Sequence, residues 1–200
     1  MAIDGGADAL GLVGSMPSGP GVISDELVRE IASIVPPAVD TFLLTSRTTS
    51  EGIANHVNYC GTNTVQIVNH LNPLEYPELV ARLPNTRIVQ VIHIEDERAL
   101  DLIAQYESYV HAFLLDSGRP NAETPELGGT GRTHDWSISS TFVQRSSKPV
   151  FLAGGLNPSN IKEAISEVAP FGVDLCSGIR EEGKLKSDLL NQFTRNLWDD

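Results

Sequence analysis

The stretch PVFLAGGLNPSNIKEAISEVAPFGVDLCSG, residues 149–178, contains one complete strand-helix-strand pattern. Its two ends, residues 149–155 and 172–178, are short apolar runs of the length typical of buried strands. Between them, apolar residues recur at i, i+3, i+4 and i+7, namely Ile161, Ala164, Ile165 and Val168. That spacing predicts a helix with one apolar side. Strands joined through a helix are normally parallel, so the stretch indicates an α/β fold.

The same alternation continues along the whole chain. Further apolar runs of strand length lie at 7–13, 39–45, 64–68, 87–94 and 111–116, which makes seven predicted strands. Helical spacing recurs at Leu27, Ile31, Ile34 and Val35. Nearly continuous apolar strands imply a parallel sheet covered on both faces, either doubly wound or closed into a barrel. No GxGxxG or P-loop opens the first unit, and regular units continue to the C-terminus, so we predict a (β/α)8 TIM barrel as a single domain over residues 1–200.

The number of strands raises a question about the first unit of this barrel. A closed barrel of this type has eight strands, and seven are visible. Gly5-Gly6 before the first run looks like a helix C-cap that turns into a strand. We therefore expect a barrel that lacks the first strand and most of the first helix. The alternative is a seven-stranded or open sheet with a disordered amino end.

Helix starts are predicted from N-cap residues, whose side-chain oxygen can accept a hydrogen bond from a backbone N–H of the first helical turn. Ser24 precedes Asp25-Glu26 and Ser50 precedes Glu51, while Asn72 and Asn157 each precede a proline. Serine and asparagine are preferred N-caps, and proline is favoured in the first helical turn.

Composition excludes several classes of partner and location. Fourteen basic against 26 acidic residues give a net charge of −12 without a block of like charges, so we expect neither nucleic acid nor an anionic membrane as partner. Cys60 and Cys176 form neither a disulfide framework nor a zinc motif, and no signal peptide or membrane span is visible. We expect a cytoplasmic monomer or homodimer that acts on a small molecule.

Asp116 is the first candidate for chemistry, because it ends the apolar run HAFLLD. In a parallel barrel, working residues lie at the carboxyl ends of strands, where burial raises the pKa of a carboxyl group toward that of a general acid. The alternative is a structural Asp that caps the following turn. About twenty polar residues follow it, with Gly128, Gly129 and Gly131, and this length is typical of a functional lid. A mobile surface insertion is the alternative reading of that loop.

Two more strand ends carry glycines, and they predict a phosphate site. Gly154 and Gly155 follow one strand and precede a helix, and Ser177 and Gly178 follow the last strand. Loops of this kind present backbone N–H groups to an anion and need no lysine. Tight turns are the alternative explanation for these glycines.

Other polar residues near strand ends are weaker candidates. Asp174 is predicted inside the last strand, on the same face as Cys176, and a buried Asp there needs a partner. We interpret Cys176 as inert and Cys60 as packed under a helix end. His70 and His93 have no second ligand at metal spacing, so we expect satisfied polar residues and no metal site.

These motifs together resemble one enzyme family. GADALG, FLLDSG, GGTGRTHDW, VFLAGGLNPSNIKEAI and APFGVDLCSGIR follow one another in the order and spacing of phosphoribosylanthranilate isomerase, a (β/α)8-barrel enzyme of tryptophan biosynthesis. The resemblance covers about Gly6 to Phe193. It implies an Amadori rearrangement of N-(5'-phosphoribosyl)anthranilate without metal or organic cofactor, in which an acid protonates the ring oxygen and a base removes the C2' proton.

The resemblance also implies roles for residues in the matching motifs. Asp116 corresponds to the acid, and Gly129 and Asp174 correspond to residues that line the site. The phosphate rests on loops that correspond to Gly154, Gly155, Ser177 and Gly178.

Three departures from the family pattern concern the base and the aglycone. The family's base is a Cys in a KICG motif, which would lie upstream of Met1, so the chain is expected to be weakly active or inactive without it. The Arg of the family's YPxSPRxV loop is absent from SMPSGPGVI, and QIVNH replaces QLHG. The alternatives are therefore an isomerase of a different sugar phosphate and a non-catalytic phosphate-ligand-binding paralogue.

Overall fold

A computed structural model of the chain describes residues 1–16, 21–118 and 133–198. Seven parallel strands form one sheet in sequence order. They are β1 (Ala9–Val13), β2 (Asp40–Thr45), β3 (Thr64–Ile67), β4 (Arg87–His93), β5 (Ala112–Asp116), β6 (Val150–Leu152) and β7 (Gly172–Val173). Each lies within one of the seven apolar runs, so the predicted strands are confirmed. A short antiparallel hairpin, β8 (Arg180–Glu181) and β9 (Lys184–Leu185), follows the sheet.

Helices connect successive strands, as a parallel sheet requires. The α-helices are α1 (Asp25–Ile34), α2 (Ser50–Cys60), α3 (Tyr76–Arg82), α4 (Leu102–Tyr106), α5 (Trp136–Arg145), α6 (Ile161–Val168) and α7 (Ser187–Trp198). Short 3-10 segments lie at Pro73–Glu75, Glu97–Asp101 and Ser177–Ile179. Within the described ranges, no helix has the length and apolar character needed to cross a membrane.

The strands alternate their side chains between two apolar layers. Val89 and Val91 of β4 pack with Ala112 and Leu114 of β5 in an inner cluster, against which Phe42 and Phe151 also pack. The intervening residues of the same strands, such as Ile88 and Phe113, join the larger cluster between sheet and helices. This two-sided burial explains why the strands read as continuous apolar runs. It is the pattern of a curled sheet with helices outside, in agreement with the predicted barrel.

The N-terminal turn contacts the last helix, although β1 and β7 are not paired with each other in the described sheet. The Thr194 hydroxyl of α7 donates a hydrogen bond to the Gly5 carbonyl at 3.1 Å. Gly6 has a φ of +91°, and the Ala7 N–H donates to the Ala2 carbonyl at 3.1 Å. Gly6 N–H also donates to the Ile3 carbonyl, which completes a Schellman motif. The predicted helix C-cap at Gly5-Gly6 is therefore confirmed.

The predicted helix starts agree with the structure in two places and differ in two. Ser24 caps α1, and Asn72 caps the 3-10 segment at Pro73. The prediction for Ser50 was wrong by one residue, because Thr49 is the N-cap of α2 and its hydroxyl accepts from the Gly52 N–H. The prediction for Asn157 was also wrong: its carboxamide oxygen accepts from the Ser159 N–H in a local turn, and α6 begins only after Asn160.

We expect Ser24→Ala to lower the free energy of unfolding by about 1 kcal/mol. The Ser24 hydroxyl accepts the Leu27 N–H at 3.3 Å, and alanine leaves this N–H without a protein partner. Urea denaturation of the two chains measures the difference. Ser24→Asp, which keeps an acceptor oxygen, is the matched control and should unfold close to the unaltered chain.

Candidate active site

Four residues lie in register at the carboxyl ends of β4 to β7. His93 is paired with Asp116 in the β4–β5 ladder. Leu115 is paired with Leu152, and Leu152 with Val173, so the next residues on these strands, Asp116, Ala153 and Asp174, continue the same row. The Ala153 N–H donates to the Leu115 carbonyl and the Asp174 N–H to the Leu152 carbonyl, both at 2.8 Å. We call His93, Asp116, Ala153 and Asp174 the rim row.

The rim row faces the inside of the curled sheet. Asp116 shares its strand face with Ala112 and Leu114, and Ala153 itself belongs to the inner cluster. Asp116 and Asp174 are therefore separated by one strand, about 10 Å between Cα atoms, with only the methyl group of Ala153 between them on that face. Two carboxyl groups thus flank a small, apolar floor.

The carboxyl group of Asp116 is buried and has a raised pKa. The residue is 8% exposed, and desolvation raises its pKa to about 6. The Ser117 N–H donates to Asp116 Oδ1 at 2.8 Å, which opposes part of this rise because it favours the charged form. No described cation forms a salt bridge with this carboxyl group. At mildly acidic pH it is a carboxylic acid that can donate a proton.

Asp174 lies one residue beyond the end of β7, so its predicted position inside the last strand was wrong. Gly172 and Val173 are the only two residues of that strand, although the Asp174 N–H still bonds to β6. Asp174 is open to solvent, unlike Asp116. The surrounding chain nevertheless desolvates its carboxyl group, and the charge of Asp116 adds to this, so that its pKa rises to about 6.

We expect Asp116→Asn to stabilise the chain at pH 7.5. The folded-state pKa of Asp116 lies above its unfolded value of 3.8, so keeping the carboxylate ionised in the fold costs about 3 kcal/mol above pH 6. The cost falls as pH drops from 6 toward 4, because the folded chain then holds the proton. The melting temperature of the variant should exceed that of the unaltered chain at pH 7.5 and match it at pH 4. An equal difference at both pH values would contradict a raised pKa.

The two glycine loops lie next to Asp116 and next to each other. A Cβ atom added to Gly154 would stand 2.8 Å from the Ser117 backbone nitrogen, so the loop after β6 touches the end of β5. A Cβ atom added to Gly178 would stand 1.9 Å from the Leu156 carbonyl oxygen, so the loop after β7 touches the loop after β6. The structure therefore brings Asp116, Gly154 and Gly178 together at one end of the sheet, where Gly155 and Ser177 adjoin them in sequence.

Asparagine side chains hold the loop after β6 in shape. Gly154 and Gly155 have φ values of +82° and +66°, which disfavour residues with a side chain. The Gly155 carbonyl accepts from the side-chain amides of Asn157 and Asn160 at 3.1 and 3.0 Å. The Asn160 side-chain oxygen accepts from the Asn157 N–H at 2.8 Å. The carbonyl of Gly155 is thus turned toward these amides, and Asn160 has a role in the loop that its position in the sequence does not indicate.

The predicted lid lies mostly outside the described residues, and so does the candidate Gly129, with Gly128 and Gly131. The far end of this segment begins α5 at Trp136, and the Asp135 carboxylate accepts the Ser137 N–H at 3.0 Å. Trp136 packs against the main apolar cluster, so this end of the segment is anchored.

His93 differs from its prediction as a satisfied polar residue. Its Nε2–H donates to the Val68 carbonyl at 2.9 Å, but Nδ1 has no partner among the described residues. The residue is 3% exposed, and burial lowers its pKa, so the imidazole is neutral near pH 7. The His70 ring lies 5.6 Å from the His93 ring. His93 therefore brings an open acceptor atom to the rim row, which the apolar run around it did not signal.

A second polar cluster lies between α1 and α2, outside the rim row. Donor atoms of Asp25, His56 and Cys60 lie within 4.8 Å of one another. His56 Nε2 bonds to Asp25 Oδ1 at 2.9 Å, and its Nδ1 bonds to the Thr45 hydroxyl at 3.0 Å. Cys60 is buried at the end of α2, as predicted, and desolvation raises its pKa to about 11, which keeps it a thiol. These contacts satisfy both nitrogens of the ring and connect the two helices to the end of β2.

Comparisons with known proteins agree with this arrangement. The family model for N-(5'phosphoribosyl)anthranilate (PRA) isomerase matches residues 3–196. N-(5'-phosphoribosyl)anthranilate isomerase 2 of Methanosarcina mazei is 35% identical over 190 residues, covering 94% of this chain and 83% of that protein. The isomerase of Nostoc punctiforme is 36% identical over 193 residues, covering 96% and 89%.

Solved structures of the same family have the same fold. The chain superposes on the Thermotoga maritima isomerase with a TM-score of 0.79 at 30% identity, covering 98% of this chain and 90% of that one. The Thermococcus kodakaraensis isomerase gives a TM-score of 0.81 at 27% identity, covering 100% and 92%. An isomerase in complex with reduced 1-(o-carboxyphenylamino)-1-deoxyribulose 5-phosphate gives 0.79 at 27% identity, with coverages of 98% and 90%. These matches extend over nearly the whole chain, and they agree with the fold and with the convergence of both glycine loops on Asp116. The chain therefore belongs to the N-(5'-phosphoribosyl)anthranilate isomerase family.

Proposed function

We propose that the chain isomerises N-(5'-phosphoribosyl)anthranilate to the corresponding 1-deoxyribulose phosphate, the Amadori step of tryptophan biosynthesis. The observation that carries the proposal is the buried Asp116 carboxyl group, placed beside two glycine loops at the carboxyl end of the sheet. The relatives of comparable length carry the name of this activity, and one related structure holds a reduced analogue of the product.

Asp116 is the proposed general acid. Its raised pKa keeps part of the population protonated close to neutral pH, and proton donation to the furanose ring oxygen lets the C1'–O4' bond break. The nitrogen lone pair then forms a C1'=N iminium ion. Burial strengthens the interaction between this acid and the developing charge on the ring oxygen.

The two glycine loops are the proposed phosphate site. In this proposal, backbone N–H groups of Gly154, Gly155, Ser177 and Gly178 bind the 5'-phosphate, with Gly129 and Asp174 lining the remainder of the site. The N-terminus of α6 follows the first loop and favours an anion there. Binding through amide groups suits a chain whose net charge is −12.

We further infer a cytoplasmic single-domain protein that is a monomer or a homodimer. The T. maritima relative is described as dimeric. The substrate is a small phosphorylated sugar, and no metal or organic cofactor takes part in the proposed chemistry.

The direct test is turnover of freshly made N-(5'-phosphoribosyl)anthranilate by the purified chain, followed by loss of its fluorescence. Titration with the reduced product analogue measures binding in parallel. Turnover together with binding supports the proposal. Binding without turnover indicates the non-catalytic paralogue, and binding of ribose 5-phosphate without binding of the analogue indicates a different aglycone.

A further inference from the structure

We propose that His93 binds a hydroxyl group of the substrate's ribose through the lone pair of its Nδ1 atom, beside the acid Asp116. The inference rests on the proposed isomerase activity and deepens it, because it adds a substrate-binding residue that determines specificity for the sugar. Two observations carry it: the place of His93 in the rim row, and a buried acceptor atom without a partner among the described residues.

The His93 side chain extends from the inner face of the sheet. Side chains alternate between the two faces of a strand, and His93 follows Val89 and Val91, both members of the inner cluster, at intervals of two residues. It is paired with Asp116, whose side chain extends from the same face of β5. Neighbouring strands lie about 5 Å apart, so a ligand that reaches the Asp116 carboxyl group also lies next to the imidazole.

The hydrogen bond of Nε2 determines what Nδ1 can do. The Val68 carbonyl oxygen can only accept, and it lies 2.9 Å from His93 Nε2, so this nitrogen carries the hydrogen. A neutral imidazole has one N–H group, and burial lowers the pKa of His93, which favours the neutral ring. Nδ1 therefore has a lone pair and can only accept a hydrogen bond.

No described residue donates a hydrogen bond to this lone pair. His93 is buried, and neither Asp116, its neighbour in the ladder, nor His70, whose ring lies 5.6 Å from the His93 ring, is a partner of Nδ1. A buried acceptor has lost its hydrogen bonds with water, so a missing partner costs free energy. A donor that arrives with the ligand removes this cost.

The order of groups along the rim identifies a ribose hydroxyl as that donor. The proposed phosphate loops follow β6 and β7, the acid ends β5 and His93 ends β4. In the substrate, the 5'-phosphate is joined through C5' and C4' to the ring oxygen O4', and the hydroxyl groups at C2' and C3' lie on the remaining ring carbons. With the phosphate on the glycine loops and O4' at Asp116, the rest of the sugar lies toward β4. His93 then accepts a hydrogen bond from one of these two hydroxyl groups.

The expected result is discrimination against sugars that lack the hydroxyl group, since a site built to bond a hydroxyl rejects the analogue without it. Titration calorimetry of the full chain with ribose 5-phosphate, 2-deoxyribose 5-phosphate and 3-deoxyribose 5-phosphate measures it. One of the two deoxy sugars should bind on the order of 10-fold more weakly than ribose 5-phosphate, which identifies the hydroxyl group.

Two variants of His93 separate the role of Nδ1 from that of Nε2. His93→Gln can keep a donor for the Val68 carbonyl but has no acceptor at the position of Nδ1. It should bind ribose 5-phosphate about 10-fold more weakly and no longer distinguish it from that deoxy sugar. His93→Asn places a carboxamide oxygen close to the position of Nδ1 but cannot reach the Val68 carbonyl. It should keep the discrimination and bind ribose 5-phosphate within about 3-fold of the unaltered chain.

His111→Gln is the matched control for a His-to-Gln change. His111 precedes β5 at the opposite end of the strand from Asp116, and its Nδ1 accepts the Ile88 N–H at 3.0 Å. Its loss should leave the affinity for all three sugars unchanged. Calorimetric melting of each variant shows whether the chain is folded.

Turnover of N-(5'-phosphoribosyl)anthranilate is a separate measurement. His93→Gln should raise KM about 10-fold and leave kcat within about 3-fold, because the hydroxyl bond is present in both the bound substrate and the transition state. Absence of turnover in the unaltered chain contradicts the isomerase activity, but the sugar-binding comparison still decides the role of His93.

Three outcomes would overturn the assignment. The unaltered chain could fail to bind ribose 5-phosphate or could bind all three sugars equally. His93→Asn could lose the discrimination while His93→Gln keeps it, which indicates a structural role through the Val68 carbonyl. His93→Gln could weaken binding of the reduced product analogue but not of ribose 5-phosphate, which places the donor on the aglycone instead of the sugar.

Discussion

Asp116→Asn is expected to lower kcat for the isomerisation by on the order of 10³-fold or more, with KM nearly unchanged. The amide has the size of the carboxyl group but no acidic proton, so the C1'–O4' bond must break without its proton donor. Because the proton is transferred mainly in the transition state, the loss should appear in kcat rather than in binding. Steady-state fluorescence assays at pH 6 measure it.

The melting temperature of Asp116→Asn shows whether a loss of turnover comes from the missing acid or from misfolding. The same variant is expected to melt higher than the unaltered chain at pH 7.5, since it removes a buried carboxylate whose pKa is raised to about 6. A loss of turnover through misfolding would lower the melting temperature instead. Asp188→Asn is the control and should change neither quantity by much. Retention of near-normal kcat by Asp116→Asn would contradict its role as the acid.

The pH dependence of kcat/KM follows from the protonation of the same carboxyl group, Asp116. Desolvation raises the pKa of Asp116 to about 6, and desolvation together with the charge of Asp116 raises the pKa of Asp174 to about 6. The rate should therefore fall as the pH rises through about 6, because Asp116 then loses the proton that it is proposed to donate. Asp116→Asn should remove the alkaline limb, because no acid remains to be deprotonated. Measurement between pH 4.5 and 8.5 checks this, and an unchanged alkaline limb in the variant would contradict it.

Strand positions could be predicted from the sequence because a strand that is buried on both faces is a nearly continuous run of apolar residues. All seven runs became strands, with boundaries trimmed at their ends. The last run was trimmed most, to Gly172–Val173, since Asp174 and the residues after it turn toward the 3-10 segment at Ser177. An apolar run indicates the position of a strand, but the last residue of the strand depends on where pairing with the neighbouring strand ends.

The site could be predicted only in part. Asp116 and the two glycine loops were identifiable because each stands at the end of an apolar run, and parallel strands bring such ends to one edge. The rim row was not identifiable, because it depends on the register between β4, β5, β6 and β7. The open Nδ1 of His93 was also not identifiable, since its Nε2 partner, the Val68 carbonyl, lies on a different strand.

Gly178→Ala is expected to have the largest effect on ligand affinity among the glycine substitutions in the two loops. A Cβ atom there would stand 1.9 Å from the Leu156 carbonyl oxygen and 2.9 Å from the Asn157 Cα atom. Both obstacles are backbone, so the two loops must separate, and the amide groups that are proposed to bind the phosphate move with them. We expect affinity for the reduced product analogue to fall on the order of 10²-fold or more, since two or more hydrogen bonds to a charged group are lost.

Gly11→Ala is the matched control, because its Cβ atom would stand 3.4 Å from the Leu44 Cδ1 atom, an ordinary contact inside the sheet. Gly154→Ala should fall between the two, since its Cβ atom meets the Ser117 backbone at 2.8 Å and its φ of +82° disfavours a side chain. Isothermal titration gives the affinities, and calorimetric melting shows whether each chain is folded. Equal affinity in Gly178→Ala and Gly11→Ala would contradict a phosphate site built on the contact between these loops, because that contact cannot survive the added methyl group.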